Sequence, residues 1–90
     1  MDLTIRQATQ FRRDIRRLQR QGTNLTLLES VVTALTKQQP LDARYRDHAL
    51  VGNWGGFREC HIQPDWLLIY RVQDEELQLA RTGSHVELFG

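Results

Sequence analysis

Residues 3–7 (Leu-Thr-Ile-Arg-Gln) alternate apolar and polar side chains, the two-residue period of a strand. From about Thr9 the period changes: Phe11, Ile15 and Leu18 follow i, i+4, i+7 and predict one face of a helix that Gly22 ends. Thr23 or Asn24 is placed to cap a second helix, whose buried side is Leu28, Val31, Val32 and Leu35 and which closes before Pro40. A turn this short predicts antiparallel helices with aligned apolar faces. Residues 41–56 show little periodicity, hold Gly52, Gly55 and Gly56, and read as a long connection. Three strands are then predicted: 57–62, then 66–73 after the Pro64-Asp65 turn, then 77–82 after Asp74-Glu75-Glu76. The middle run is apolar on both faces, as a central strand is. The expected fold class is α+β: an N-terminal strand, two antiparallel helices and a three-strand antiparallel meander, with both helices on one side of the sheet.

Composition narrows the setting. Ninety residues hold one domain, 1–90, and a 40% hydrophobic, 26% charged chain is ordinary for a folded soluble protein. One cysteine excludes an internal disulfide framework. The longest apolar run, Trp66 to Tyr70, is far below the roughly 20 residues of a membrane span, and no positive-then-apolar leader opens the chain. A small cytoplasmic domain is expected. The net charge of +1 hides an asymmetry: residues 1–22 carry six arginines against two aspartates, five of them at 12, 13, 16, 17 and 20. Such a stripe suits phosphates, an acidic protein or simply water.

All three histidines fall in the second half, at 48, 61 and 85. In a meander the ends of the 57–62 and 77–82 strands can share one end of the sheet, so these imidazoles can converge with Asp65 and Arg81. Imidazoles titrate near pH 6.5 and serve as acid or base at neutral pH. An arginine adds a fixed, bidentate charge suited to phosphate. Acid, base and fixed cation are the parts needed to cleave RNA by in-line attack of its own 2′-hydroxyl. No ligand pair stands at helical or knuckle spacing, so no metal or other cofactor is expected. Cys60, next to His61 in a strand, points to the opposite face and reads as a buried small hydrophobe. Trp54 among its glycines packs a turn, and Trp66 opens the central strand, where it suits the core. Phe89, one residue from the end of the chain, is difficult to bury and suits stacking or docking.

Five segments together resemble a known family. Tyr45-Arg46-Asp47-His48, Gly52 to Arg58, Glu59-Cys60-His61-Ile62, Pro64 to Tyr70 and Arg81 to His85 with Leu88-Phe89 resemble the YafQ branch of the RelE/ParE toxin superfamily. Over residues 1–40 the likeness is one of pattern only. The resemblance implies a toxin of a type II toxin–antitoxin pair, a ribosome-dependent mRNA endonuclease that cuts codons in the decoding site without a metal. It also implies roles. His48, His61, Asp65 and His85 match acid–base positions, with His85 as acid and either His48 or His61, paired with Asp65, as base. Arg81 matches the residue that stabilises the phosphate, while Phe89, Arg46 and Trp66 are substrate-binding candidates. Relatives often carry a lysine around Leu50-Val51; here the sole lysine is Lys37, so contact with ribosomal RNA falls to Arg12, Arg13, Arg16, Arg17 and Arg44. A cognate antitoxin with an acidic or amphipathic segment, in a hetero-oligomer, is the implied protein partner. The competing reading is a ParE-like toxin that binds a protein target such as gyrase and cuts nothing. A degenerate member that only binds RNA or antitoxin is a third.

Overall fold

The computed structural model describes all residues 1–90 as a five-stranded sheet with two helices on one face and a short third helix at its end. Strand β1 (Thr4–Gln7) leads into α1 (Thr9–Arg20) and α2 (Thr26–Thr36). Then come β2 (His48–Ala49), β3 (Arg58–Gln63), β4 (Trp66–Gln73), β5 (Glu76–Gly83) and α3 (His85–Phe89). The sheet order is β1-β5-β4-β3-β2. The predicted meander is β3-β4-β5, antiparallel throughout.

Three features go beyond the sequence reading. β1 lies beside the last strand and runs parallel to it, Thr4 opposite Glu76. The connection at 41–56 is built, with 3₁₀ turns at Ala43–Tyr45 and Gly52–Trp54 around the two-residue β2. After β5 comes a helix, α3, that the sequence reading did not place. Ser84 caps α3 by accepting from the Glu87 N–H, and the Glu87 carboxylate accepts from the Ser84 N–H in return. In α2 neither Thr23 nor Asn24 is the cap: Leu25 holds that position without a side-chain cap, and Asn24 just ahead of it accepts from the Thr26 N–H at 2.9 Å through Oδ1.

The main core lies between sheet and helices: Phe11 and Leu18 of α1, Leu28, Val31 and Leu35 of α2, and Cys60, Ile62, Trp66, Leu68, Tyr70, Leu77 and Leu79 of the sheet. The opposite face of β4 is covered more thinly. Leu67 and Ile69 are sealed there by Leu88 of α3 and by Leu50, Trp54 and Phe57. This explains why β4 is buried on both faces from Trp66 to Tyr70. No helix is long and apolar enough to cross a membrane.

Candidate active site

The site is a product of strand register. His48 stands opposite Glu59, Glu59 opposite Ile69, and Ile69 opposite Arg81, so these four form one row on the face away from α1 and α2. His61, Leu67 and Gly83 form the adjacent row. Arg81 reaches this face through a β-bulge. Ile69 pairs with Arg81 but Tyr70 pairs with Leu79, which leaves Ala80 as the extra residue. Without it Arg81 would share the helix-side face of Leu77 and Leu79. A second irregularity falls between His61 and Gln63.

The three imidazoles follow one another across this surface. Ring centroids are 6.4 Å apart for His48 and His61, and 5.8 Å for His61 and His85. Each ring is oriented through its Nδ1. His48 Nδ1 lies 2.7 Å from the Arg46 carbonyl and His61 Nδ1 3.3 Å from the Pro64 carbonyl. Carbonyls only accept, so each of these bonds needs the proton on Nδ1 and leaves the ring's Nε2 for other partners. Those Nε2 atoms face Glu59, each 3.7 Å from one of its carboxylate oxygens. Glu59 is 6% exposed, a buried acid beneath two imidazoles.

The loop before His48 is held as firmly. Asp47 accepts from the Tyr70 hydroxyl at 2.6 Å and from Arg58 Nε at 3.2 Å, and Arg46 takes a left-handed conformation at φ +50°. A cleft of about 410 Å³ opens beside His61, walled by Arg44, Tyr45, Arg46 and Pro64.

Asp65 pairs with His85, a correction to the expected pairing with His48 or His61. One Asp65 oxygen accepts from the His85 backbone N–H at 3.0 Å and meets its Nδ1 at 2.9 Å. The physical reason is α3: its first turn brings both groups of His85 onto the Pro64-Asp65 turn. The His85 N–H first, and its ring second, hold the Asp65 carboxyl below the ordinary carboxylate range. Phe89 lies one turn further on, 47% exposed, its ring 6.5 Å from that of His85.

Two other candidates sit where their expected role is not available. Trp66 is buried at 6%, its Nε1–H donating to the Thr82 hydroxyl at 2.9 Å, and presents no stacking face to a substrate. Arg17 turns inward, paired with Asp14 at 2.8 Å and donating to the Thr82 carbonyl at 3.0 Å, and so leaves the exposed basic stripe. Its Nε also lies 2.9 Å from Glu87, an ion pair off the hydrogen-bond direction. Arg12, Arg13, Arg16 and Arg44 are exposed as expected. Cys60 is fully buried with His61 on the other face, and burial pushes its thiol up to about 12.

The sequence reading missed Glu59 and Asp14. Asp14 is fully buried, and its signal was present: it stands at i+3 from Phe11 and i−4 from Leu18, on the apolar stripe itself. Glu59 had one too, standing two residues before His61 in the predicted 57–62 strand and so on the same face, whereas its pairing with His48 is set by register. The structure also gathers a donor set that local spacing shows only in part, since His85 joins it from α3. Glu59, His61 and His85 place one ligand atom each within 4.8 Å of one another. Two imidazoles and a carboxylate suit a divalent ion in kind, although ligands about 2.0–2.2 Å from a tetrahedral ion stand about 3.4 Å apart, so these would close inward to hold one.

The family model for the bacterial toxin of type II toxin–antitoxin systems, YafQ, matches residues 3–90. The chain belongs to the YafQ family. It is 40% identical over 82 residues to the mRNA interferase toxin YafQ of Escherichia coli, covering 90% of this chain and 89% of that one. The putative toxin YafQ of Haemophilus influenzae is 41% identical over 90 residues, covering 92% and 88%. Among solved structures, the E. coli DinJ-YafQ toxin–antitoxin complex superposes with a TM-score of 0.91 at 37% identity, all of both chains covered. A metal-bound toxin from Helicobacter pylori gives 0.91 at 45% identity, with 97% and 99% covered. The α+β arrangement of five strands and three helices is thus that of the YafQ toxins.

Proposed function

We propose that this chain is the toxin of a type II toxin–antitoxin pair that cuts mRNA on the ribosome by attack of a 2′-hydroxyl on the adjacent phosphate. The observation that carries this reading is the single sheet face shared by His48, Glu59, His61 and Arg81, with His85 of α3 beside it. A base at His61 or His48 takes the 2′-hydroxyl proton on Nε2, and Glu59 stabilises the imidazolium that forms. The 2′-oxygen–phosphorus bond forms as the phosphorus–5′-oxygen bond breaks. His85, protonated and oriented by Asp65, gives its Nε2 proton to the departing 5′-oxygen. The products are a cyclic phosphate and a 5′-hydroxyl, and Arg81 offsets the charge that builds on the phosphate. Phe89 and Arg46 flank the site as substrate contacts, and Arg12, Arg13, Arg16 and Arg44 are the cations left for ribosomal RNA.

Because the similar E. coli toxin forms a complex with DinJ, we assign this chain a cognate antitoxin, its acidic or amphipathic segment lying on the basic surface. The test of the activity is a cleavage-site map of mRNA in a translating extract, wild type beside His85→Ala. Cuts within codons that need ribosomes and vanish in the variant support the endonuclease. Growth arrest by wild type without any cut, unchanged in His85→Ala, supports the ParE-like binding toxin instead.

A further inference from the structure

β1 pairs with β5 only as far as Leu79, so from Ala80 onward β5 is an uncovered edge. Two side chains of α1 take the place of the missing strand. Asp14 Oδ2 accepts from the Thr82 N–H at 3.1 Å, and Arg17 Nη2 donates to the Thr82 carbonyl at 3.0 Å. Asp14 then goes further than a strand would. Its two oxygens receive Arg81 Nε at 2.8 Å and Arg81 Nη2 at 3.2 Å, a forked pair along one side of the guanidinium, and Arg17 Nη1 at 2.8 Å. A fork fixes the plane of the group as well as its position. Arg81 Nη1 makes no hydrogen bond within the chain, so the side of the guanidinium that it carries is the one left for a ligand.

We propose that Asp14 is a positioning residue that aims the Arg81 guanidinium at the reacting phosphate. The proposal rests on the reading of Arg81 given above. Asp14 lies on the helix side of the sheet, fully buried, and reaches Arg81 around the open edge of β5. An acid in that position is not needed to fill space, since a buried pair is often replaceable by apolar side chains without loss of stability. What apolar side chains cannot do is hold a cation on the opposite face in one orientation. Burial alone would raise the Asp14 carboxyl, and its bonds from Arg81, the Thr82 N–H and Arg17 outweigh that and hold it below the ordinary range, so it is charged at neutral pH.

The test is single-turnover cleavage of mRNA on programmed ribosomes, with Asp14→Asn, Arg81→Ala and the double variant. Misplacing a charge by about 1 Å costs about 100-fold in rate, and that loss is expected for Asp14→Asn, with half-saturating ribosome concentration changed by less than about twofold. In the Arg81→Ala background Asp14→Asn should add less than about twofold, because its effect passes through the missing guanidinium. A second readout is the Arg81 Nε–H resonance, sharp in wild type at neutral pH and broadened in folded Asp14→Asn. Should that variant not fold, Asp14→Glu keeps the charge and displaces the fork, and the same rate loss is expected. A folded Asp14 variant at the wild-type rate, or losses that add fully in the double variant, would overturn the proposal. Full activity in Arg81→Ala, with His85→Ala inactive, overturns it while leaving the endonuclease reading intact. No cleavage by wild type removes both.

Discussion

Replacing Gly83 with alanine probes how tightly α3 is fastened to the sheet. A Cβ built on Gly83 would stand 2.5 Å from Arg17 Nη2 and 2.9 Å from Glu87 Oε1, at a backbone φ of +153° that L side chains rarely adopt. Both obstructing atoms are the ends of side chains, so the clash is relieved by moving them. Both are also engaged: Arg17 Nη2 donates to the Thr82 carbonyl, and Glu87 Oε1 accepts from the Ser84 N–H as half of the capping box. Losing a bond to a charged group costs about 1.5–3 kcal/mol when partly buried, and an exposed one less. The disfavoured backbone adds about 1 kcal/mol or more. The expected loss is about 2–4 kcal/mol, large against the 5–15 kcal/mol of an ordinary domain. Urea denaturation should show the midpoint falling by more than about 1 M with an unchanged slope. In an Arg17→Ala background the same substitution should cost less, since one obstruction is already gone. A change within about 0.5 kcal/mol of wild type would refute the account of Gly83 as a position where a side chain must displace Arg17 and Glu87.

Other outcomes follow from the same geometry. Trp66→Phe should lower stability by about 1–3 kcal/mol, through a lost hydrogen bond and packing, while the cleavage rate stays at wild type, measured by denaturation and extract assay. Glu87 has its carboxyl held below the usual range, first by the Ser84 N–H, so its stabilising effect is present above the unfolded pKa of about 4.3 and is lost as pH falls through the lower folded value. The stability gap between wild type and Glu87→Gln should therefore be open at pH 7 and close below about pH 4 in an acid titration. Replacing Arg12, Arg13 and Arg16 together with alanine should leave the melting temperature unchanged. Ribosome binding should weaken, and the salt dependence of its affinity should flatten by about 0.7–0.9 per phosphate contact removed. Cys60 should resist thiol reagents in the native state and react on unfolding, as its burial and raised pKa require.

The meander was legible because each of its strands announces itself: apolar runs broken at Pro64-Asp65 and at Asp74-Glu75, where both turn residues take positive φ. The amphipathic stripe of Phe11, Ile15 and Leu18 located α1 equally well. β1 was legible as a strand but not in its partner, since a parallel pairing with β5 leaves no trace in local periodicity. α3 had a readable mark in Ser84-x-x-Glu87, a capping box of only five helical residues and easily passed over. The histidines were visible as residue types, and their convergence with Arg81 depends on a bulge at Ala80 that alternation along β5 would not reveal. Asp14 was masked by its company, an acid among five arginines, although its place on the stripe of Phe11 and Leu18 marks it as facing the core.

The pairing of β1 with β5 has a consequence in time as well as space. The first strand finds its partner only in residues 76–79, and α1 is fastened to the sheet through Arg81 and Thr82. A chain growing from its N-terminus therefore holds α1 and β1 without these partners until residues 76–82 have been made. Helices 1 and 2 can form early from local contacts, whereas the sheet must wait for its most distant pairing, the slow step in chains of high contact order. The histidine face likewise stays incomplete until α3 has formed and brought His85 beside His61.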